Sequence, residues 1–352
     1  MKLAIIGLDR SGKTTVFNAL TGSNKEVGTY GKIDATIATI KVPDTRIDWL
    51  SQLYSPQKTI YANIEFIDIP GSINNSSDSK IIAAAREADA LVPVVRAFRN
   101  ENVQHPLNTI DPLRDAAEIR LGLIVADMAI AEKRIERLRV SVRKPTDKQA
   151  EEKIELAALE KVMAKLESEQ PALEAEFNEL EEKSIRSFQF LTLKPHLSLL
   201  NVSENEIMSE STMVLMEKIP NCMHMCADIE MEIRNLEDKD QAEFLAELDI
   251  KELSLNQFIL QAYETLGLIS FFTVGKDEVR AWTIPKGICA LNAAGKIHSD
   301  LERGFIRAEV FSYDDIKSLG NERDVRNAGK FRLEGKDYTV QDGDILNIKF
   351  NV

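Results

Sequence analysis

The sequence predicts an α/β protein: a mostly parallel sheet, an antiparallel helical hairpin inserted into it, and a small α+β module at the C-terminal end. Three observations carry this. Short apolar runs rich in β-branched residues alternate with helical stretches through the first third of the chain. Leu121, Ile124, Met128, Ala131, Ile135, Leu138 and Val142 then recur at spacings of three and four, the seam of a long helix. From about Leu268, short strand-like runs are separated by Gly and Asp turns.

The elements follow in order. "KLAIIG" reads as a buried strand over Lys2–Ile6, and "KTTVFNALTG" as a helix ended by Gly22. "VPDTRIDWLSQLYSP" is a strand end leading into a short helix stopped by Pro56. "IYANIEFIDIPG" is a strand ending at Asp68, "SKIIAAAREAD" a helix, and "ADALVPVVRAF" another buried strand. The long seam breaks at Lys144-Pro145. A second helical stretch carries Leu159, Val162 and Leu166, and a third after Pro171 carries Leu173, Phe177 and Leu180. The alternation resumes with "SFQFLTLKPHLSLLNVSENE" and "STMVLMEKIPNCMHMCADIE", followed past residue 233 by an acidic helical stretch. "SFFTV", "VRAWTIP", "FIRAEVF", "FRLEG" and "KDYTVQDGDILNIKFNV" supply the last strands.

Composition narrows the function classes. A chain of 352 residues suits two or three domains, and no apolar run reaches membrane-spanning length. Asp9 and Arg10 interrupt the N-terminus too early for a signal peptide, and three cysteines suit a reducing cytoplasm. A net charge of −13 argues against indiscriminate nucleic-acid binding. The charge is uneven, however: residues 133–148 hold 7 basic and 2 acidic side chains, at the expected hairpin bend. A solvated helix face explains most hairpin charges.

The chemistry begins at "GLDRSGKTT". Gly7, four residues, then Gly12-Lys13-Thr14 complete G-x-x-x-x-G-K-[ST] between a strand and a helix. The glycines permit the bend, and backbone amides at the helix N-terminus attract phosphate. Lys13 reaches the outer phosphates, and Thr14 places its hydroxyl on Mg2+. Arg10, Ser11 and Thr15 complete the expected phosphate-side set. Asp68-Ile69-Pro70-Gly71 ends a strand roughly 55 residues later, a D-x-x-G in which Asp68 holds the metal and the Gly71 amide senses the terminal phosphate. Asn201-Val202-Ser203-Glu204 stands where switch GTPases carry N-K-x-D. Val202 removes the lysine stem, and Glu204 shifts the guanine-binding carboxylate by a methylene, so guanine preference should relax or invert. Ser203 as a helix N-cap suits the same residues. Cys222, His224 and Cys226 resemble metal ligands, but "NCMHMCADIE" is also an alternating strand whose end, Cys226-Ala227, suits a base-contacting loop.

Together these runs resemble the YchF (Obg-like) ATPases, with "IEFIDIPG", "READALVPVVRAF", "LTLKPHLSLLNVSE" and "HSDLERGFIRAEVFSYDD" close to that family's stretches. The resemblance covers nearly the whole chain. It implies a P-loop NTPase domain formed by residues 1–112 and 188–266, a hairpin insert at 113–187, and a β-grasp TGS domain at 267–352. It implies ATP preference, association with ribosomes and a modulatory role in translation or stress regulation. The P-loop set adds Mg2+ and an expectation of slow hydrolysis, and the basic cluster at the hairpin tip suits a ribosomal RNA contact, with the TGS domain as the other surface. The resemblance also marks departures. Asp9-Arg10-Ser11 is unusual for the family's P-loop. The segment after Gly71 is polar and lacks glycine. The first-switch threonine falls near Lys32, leaving Thr29 or Thr36. "QHPLNTIDPLRD" keeps the family's histidine six residues before Asp-Pro, so the resemblance implies that His105 positions or activates water. A solvated surface histidine is the plainer expectation. Two alternatives remain: a nucleotide-gated adaptor that does not hydrolyse, and a GTPase of the same fold.

Overall fold

The structure is a computed structural model. It describes residues 1–23, 35–74, 79–234, 236, 240–241 and 254–351. Its elements run β1 (Lys2–Gly7), α1 (Lys13–Thr21), β2 (Thr36–Lys41), α2 (Thr45–Tyr54), β3 (Lys58–Ile60), β4 (Asn63–Asp68), α3 (Ser79–Glu87) and β5 (Ala90–Arg96). Then come α4 (Pro112–Ser141), α5 (Gln149–Glu167), α6 (Glu179–Ile185), β6 (Ser198–Asn201), α7 (Glu210–Lys218), β7 (Cys222–Met225) and α8 (Ala227–Arg234). The C-terminal elements are α9 (Ser254–Thr265), β8 (Leu268–Thr273), β9 (Glu278–Pro285), α10 (Ala290–Ile297), α11 (Ser299–Arg303), β10 (Phe305–Ser312), α12 (Tyr313–Leu319), α13 (Glu322–Asn327), β11 (Arg332–Glu334) and β12 (Asp344–Phe350).

The first sheet has the order β2-β4-β1-β5-β6-β7, and its pairs from β4 through β7 are parallel. Every residue of β5 is buried, as a strand covered on both faces requires. The β1, β4, β5 and β6 strands run toward one edge, so their C-terminal ends at Gly7, Asp68, Arg96 and Asn201 converge there. Ligands of open parallel sheets bind at that edge.

The inserted hairpin pairs α4 with α5. Ile124, Ala131, Ile135 and Leu138 pack on Ala158, Leu159, Val162 and Leu166. Asp111 caps α4 by accepting from the Arg114 amide, with Pro112 at the first helical position. The seam begins at Ile124, because Leu121 is 42% exposed. The third helical stretch also differs from expectation. Pro171 leads only into a 3-10 turn over Ala172–Glu174, and α6 starts at Glu179, where Asn178 and Glu181 form a capping box. Leu173 and Leu180 are consequently exposed, and Ala172 and Ile185 fill the core in their place. A buried carboxylate holds the hairpin at its base. Asp127 accepts from the Leu191 and Thr192 amides, the Thr192 hydroxyl and Arg86 Nη2 at 2.8–3.1 Å.

The second sheet has the order β11-β10-β12-β8-β9-β3. Its neighbours β8 and β12 are parallel, the β8–β9 and β10–β12 pairs are antiparallel, and α10 lies between β9 and β10 in sequence. This is the β-grasp arrangement. Its core packs Ala290, Ala293 and Ala294 with Phe271, Ile284, Val310 and Leu346.

The chain divides into compact units of residues 1–39 with 65–255, and 40–64 with 256–352. Residues 40–64 therefore group with the C-terminal part, where sequence continuity had put them in the first domain. β3 pairs in parallel with β9, Arg46 pairs with Asp342 at 2.7 Å, and Tyr54 donates to Glu322 at 2.6 Å. Among the described residues, no helix is long and apolar enough to cross a membrane. The acidic stretch past residue 233 lies mostly outside the described residues.

The hairpin seam makes a direct prediction. Leu159 is fully buried between the hairpin helices, so Leu159→Ala should cost about 2–4 kcal/mol through lost burial and a cavity. Urea unfolding followed by circular dichroism measures this, and a cost near zero would show that the seam is not packed as described.

Candidate functional site

At the edge where the strands converge, the chain turns from β1 into α1 through Gly7–Gly12. Two backbone positions make the turn possible. Gly7 has φ 156°, and a Cβ there would lie 2.6 Å from the Val94 carbonyl oxygen. Gly12 has φ 89°, and its Cβ would collide with the Asn201 amide. Only glycine fits either place. Arg10 also takes a left-handed conformation at φ 61°.

The loop curls around a lysine. Lys13 is buried, and its ammonium donates to the Leu8 carbonyl at 2.7 Å and the Gly7 carbonyl at 3.3 Å. Burial pulls its pKa down to about 8, against the opposing charges of Asp9 and Asp68. The Thr14 hydroxyl donates to Asp68 Oδ2 at 3.1 Å, joining the start of α1 to the end of β4. Thr15 follows in the same helical turn, half-buried. The Ser11 Oγ is buried without a hydrogen-bond partner among the described residues.

These observations fit a bound polyphosphate. A loop closed to any Cβ lets an anion approach backbone amides, and the orphaned Ser11 hydroxyl and the buried Lys13 supply further donors. Thr14 and Asp68 offer two hard oxygen atoms in contact, a donor set suited to Mg2+, which takes its remaining ligands from phosphate and water.

Asn201 forms the opposite wall. Its Nδ2 donates to the Ser11 carbonyl and its Oδ1 accepts from the Ala227 amide, each at 3.3 Å. One buried amide thus joins the P-loop to the Cys226-Ala227 turn at the start of α8. Val202 is 2% exposed and packs into the core. Glu204 is exposed. Ser203 makes no side-chain cap; its hydroxyl accepts from the Arg99 amide at 3.3 Å. Burial pushes the Cys222 thiol up to about 12 and raises that of Cys226, which disfavours thiolate ligation. Among the described residues, no three His, Cys, Asp or Glu side chains are grouped to hold an ion.

Gly71 has φ 89°, and a Cβ on it would press on Ile81 at 2.7 Å. Thr36 opens β2, whereas Thr29 and Lys32 lie outside the described residues.

His105 is not a solvated surface residue. It is 6% exposed, and both ring nitrogens are engaged: Nε2 with Asp115 Oδ2 at 2.8 Å, and Nδ1 with the Leu107 amide at 3.1 Å. Its loop is fastened to the P-loop. Arg10 Nη1 donates to the Gln104 carbonyl at 3.0 Å. Arg96, also buried, donates to the carbonyls of Phe98 at 3.2 Å, Val103 at 2.9 Å and Arg10 at 3.4 Å. Sequence reading missed both Arg96 and Asp115. Each left a trace: an arginine ending an otherwise apolar buried strand, and an aspartate four residues before buried Ile119 on the inward face of α4.

Residues 2–131 match the family described as 50S ribosome-binding GTPase, and residues 268–351 match the YchF C-terminal family, described as a protein of unknown function. The chain is 42% identical to the ribosome-binding ATPase YchF of Bacillus subtilis over 363 aligned positions, covering 99% of this chain and 98% of that one. It is 39% identical to the protein of the same description from Haemophilus influenzae, covering 100% and 99%. The solved structure of the Schizosaccharomyces pombe YchF GTPase superposes with a TM-score of 0.85 at 31% identity, over 99% of this chain and 97% of that one.

The lowered pKa of Lys13 has a measurable consequence. Below pH about 8 the buried ammonium is charged and its burial destabilises the fold; this cost disappears as pH rises toward 10.5. A bound polyphosphate favours the charged amine, so binding above pH 8 should take up a proton, and affinity should fall between pH 7 and pH 9. Calorimetry in buffers of different ionisation enthalpy at pH 8.5 reads this uptake directly. Buffer-independent heats would place Lys13 away from the anion.

Proposed function

The chain belongs to the YchF family, and on that footing we propose that it is an ATP-binding, slowly ATP-hydrolysing switch that associates with the ribosome; its bacterial relatives are named ribosome-binding ATPases. The observation that carries this reading is the closed loop around Lys13, with Asn201 joining it to the Cys226-Ala227 turn. Within it, the amides of Gly7–Thr15 and the Arg10, Ser11 and Lys13 side chains hold the phosphates. Thr14 and Asp68 would hold Mg2+, which, when bound, neutralises charge on the outer phosphates. The Gly71 amide reports the terminal phosphate to the segment that follows, and Asn201, Cys226 and Ala227 line the base. His105 positions the attacking water. In its present place both its nitrogens are spent on the protein, which supports low basal turnover. A cytoplasmic location fits such a partner.

The relatives' names disagree on the nucleotide: ATPase for the bacterial proteins, GTPase for the yeast structure. Adenine suits this chain better. A guanine site depends on a carboxylate accepting two hydrogen bonds and a lysine stem over the base. Position 202 is a core valine, and Glu204 carries its carboxylate a methylene farther out. We expect titration with labelled nucleotides to give tighter binding of ATP than of GTP, and equal affinities would overturn the assignment. Because Lys at the buried position 202 would disturb the core, the cleaner variant is Glu204→Asp, which should narrow the gap by roughly up to tenfold.

For the ribosome contact we propose the hairpin tip, with the TGS domain as the second surface. Arg134 and Arg139 are engaged by Glu155 and Glu160 across the hairpin. Lys133, Arg137, Arg143, Lys144 and Lys148 are exposed and make no ion pair among the described residues. A phosphate backbone is their natural partner. The triple change Arg137→Glu, Arg143→Glu and Lys144→Glu should weaken ribosome co-sedimentation and flatten its salt dependence, with ATP affinity unaltered. Unchanged co-sedimentation would move the contact to the C-terminal domain.

A further inference from the structure

His105 would be a weak instrument if its ring were free to turn, because the wrong tautomer would offer a proton where an acceptor is needed. The surrounding bonds remove that freedom. The Leu107 amide donates to Nδ1, so Nδ1 carries a lone pair and the ring proton sits on Nε2. Nε2–H meets Asp115 Oδ2 at 2.8 Å. Asp115 is 1% exposed, and its other oxygen accepts from Arg114 Nε at 3.1 Å and Nη2 at 2.8 Å. That guanidinium also reaches back to the His105 loop through the Thr109 hydroxyl and carbonyl, at 2.8 and 2.6 Å.

From this chain of contacts we propose that Asp115, braced by Arg114, is a positioning residue for the hydrolytic step. It fixes the Nε2–H tautomer of His105 and leaves Nδ1 as the atom that accepts a hydrogen bond from the attacking water. The inference rests on the reading of His105 as the water-positioning group. Nδ1 has one lone pair, which the Leu107 amide and a water cannot share, so activation exchanges one donor for the other while the Asp115 bond stays. The geometry suits this order. Asp115 stands in the first turn of a 30-residue helix, whereas Leu107 lies in an irregular loop and is 42% exposed. The buried side of the ring is the fixed one, and the loop side is the one that can open. A carboxylate, buried and bonded to the far nitrogen of a histidine, holds tautomer and orientation in the same way in acyl-transfer enzymes.

The test uses the full chain labelled with 15N-histidine. Of its 4 histidines, His105 is assigned by the signal lost in His105→Gln, and its two ring nitrogens report the tautomer. Asp115→Asn should replace the single Nε2–H signature by a mixture, because one amide cannot satisfy both Nε2–H and Arg114. Single-turnover ATP hydrolysis should fall by roughly tenfold to a hundredfold, while ATP affinity changes by less than about twofold. An unchanged tautomer with unchanged turnover overturns the proposal, and so does faster turnover, which would make Asp115 a restraint. His105→Ala is run beside it. If that variant hydrolyses at the normal rate, the reading of His105 fails; if it is slow while Asp115→Asn is not, only the role of Asp115 fails. Should thermal melting show that Asp115→Asn does not fold, Arg114→Met removes the brace from a partly exposed position and must shift the same two readouts in the same direction.

Discussion

A buried guanidinium organises the nucleotide edge of this protein. Arg96 ends a strand that is buried along its whole length, and a cation there is tolerated only if its donors are met. The three carbonyls that accept from it belong to the P-loop at Arg10 and to the following segment at Phe98 and Val103, and the Phe98 ring lies 4.5 Å away. Satisfying one charge therefore sets the phosphate-binding loop and the His105 segment in register. Asn201 does the neutral counterpart of this on the other side, through the Ser11 carbonyl and the Ala227 amide. The site is built less by side chains that face a ligand than by polar groups that have no water and must find backbone.

The same rule governs the hairpin. Its seam is apolar, and Ile119 and Leu123 pack the start of α4 into the core of the α/β body, but a carboxylate fixes the junction. Asp127 is fully buried, and the two amides, hydroxyl and guanidinium it accepts from replace its hydration. A wholly apolar joint would tolerate sliding, whereas directed hydrogen bonds fix where α4 leaves the sheet. Farther out, ion pairs across the two helices consume part of the positive charge, and the remainder is concentrated near the bend, on a chain whose net charge is −13.

The function follows from which contacts are complete and which are open. The His105 ring is fully bonded within the protein, so the water-positioning role proposed for it costs it a bond. The phosphate loop is the reverse case. Its lysine is buried at some electrostatic expense, and its Ser11 hydroxyl lacks a partner among the described residues, so a polyphosphate relieves both. This contrast underlies the slow hydrolysis proposed above, which suits a switch better than a metabolic enzyme.

The sequence by itself determined what local patterns encode. Gly7, Gly12, Lys13 and Thr14 announced the loop because their spacing is the mechanism, and Asp68-Ile69-Pro70-Gly71 was legible because strand and turn chemistry are adjacent in the chain. The long helix was plain from its period. The sequence could not say that Leu121 and Leu173 would face water, since periodicity does not reveal where a partner helix begins or where a capping box delays one. Nor could it assign residues 40–64, whose grouping with the C-terminal unit depends on pairing with a strand more than 200 positions away. The Arg96 and Asp115 roles were hidden for the same reason. A charged residue in a buried stripe looks like noise until folding shows which P-loop carbonyl and which imidazole it meets, at 3.4 and 2.8 Å, and burial makes those particular contacts obligatory.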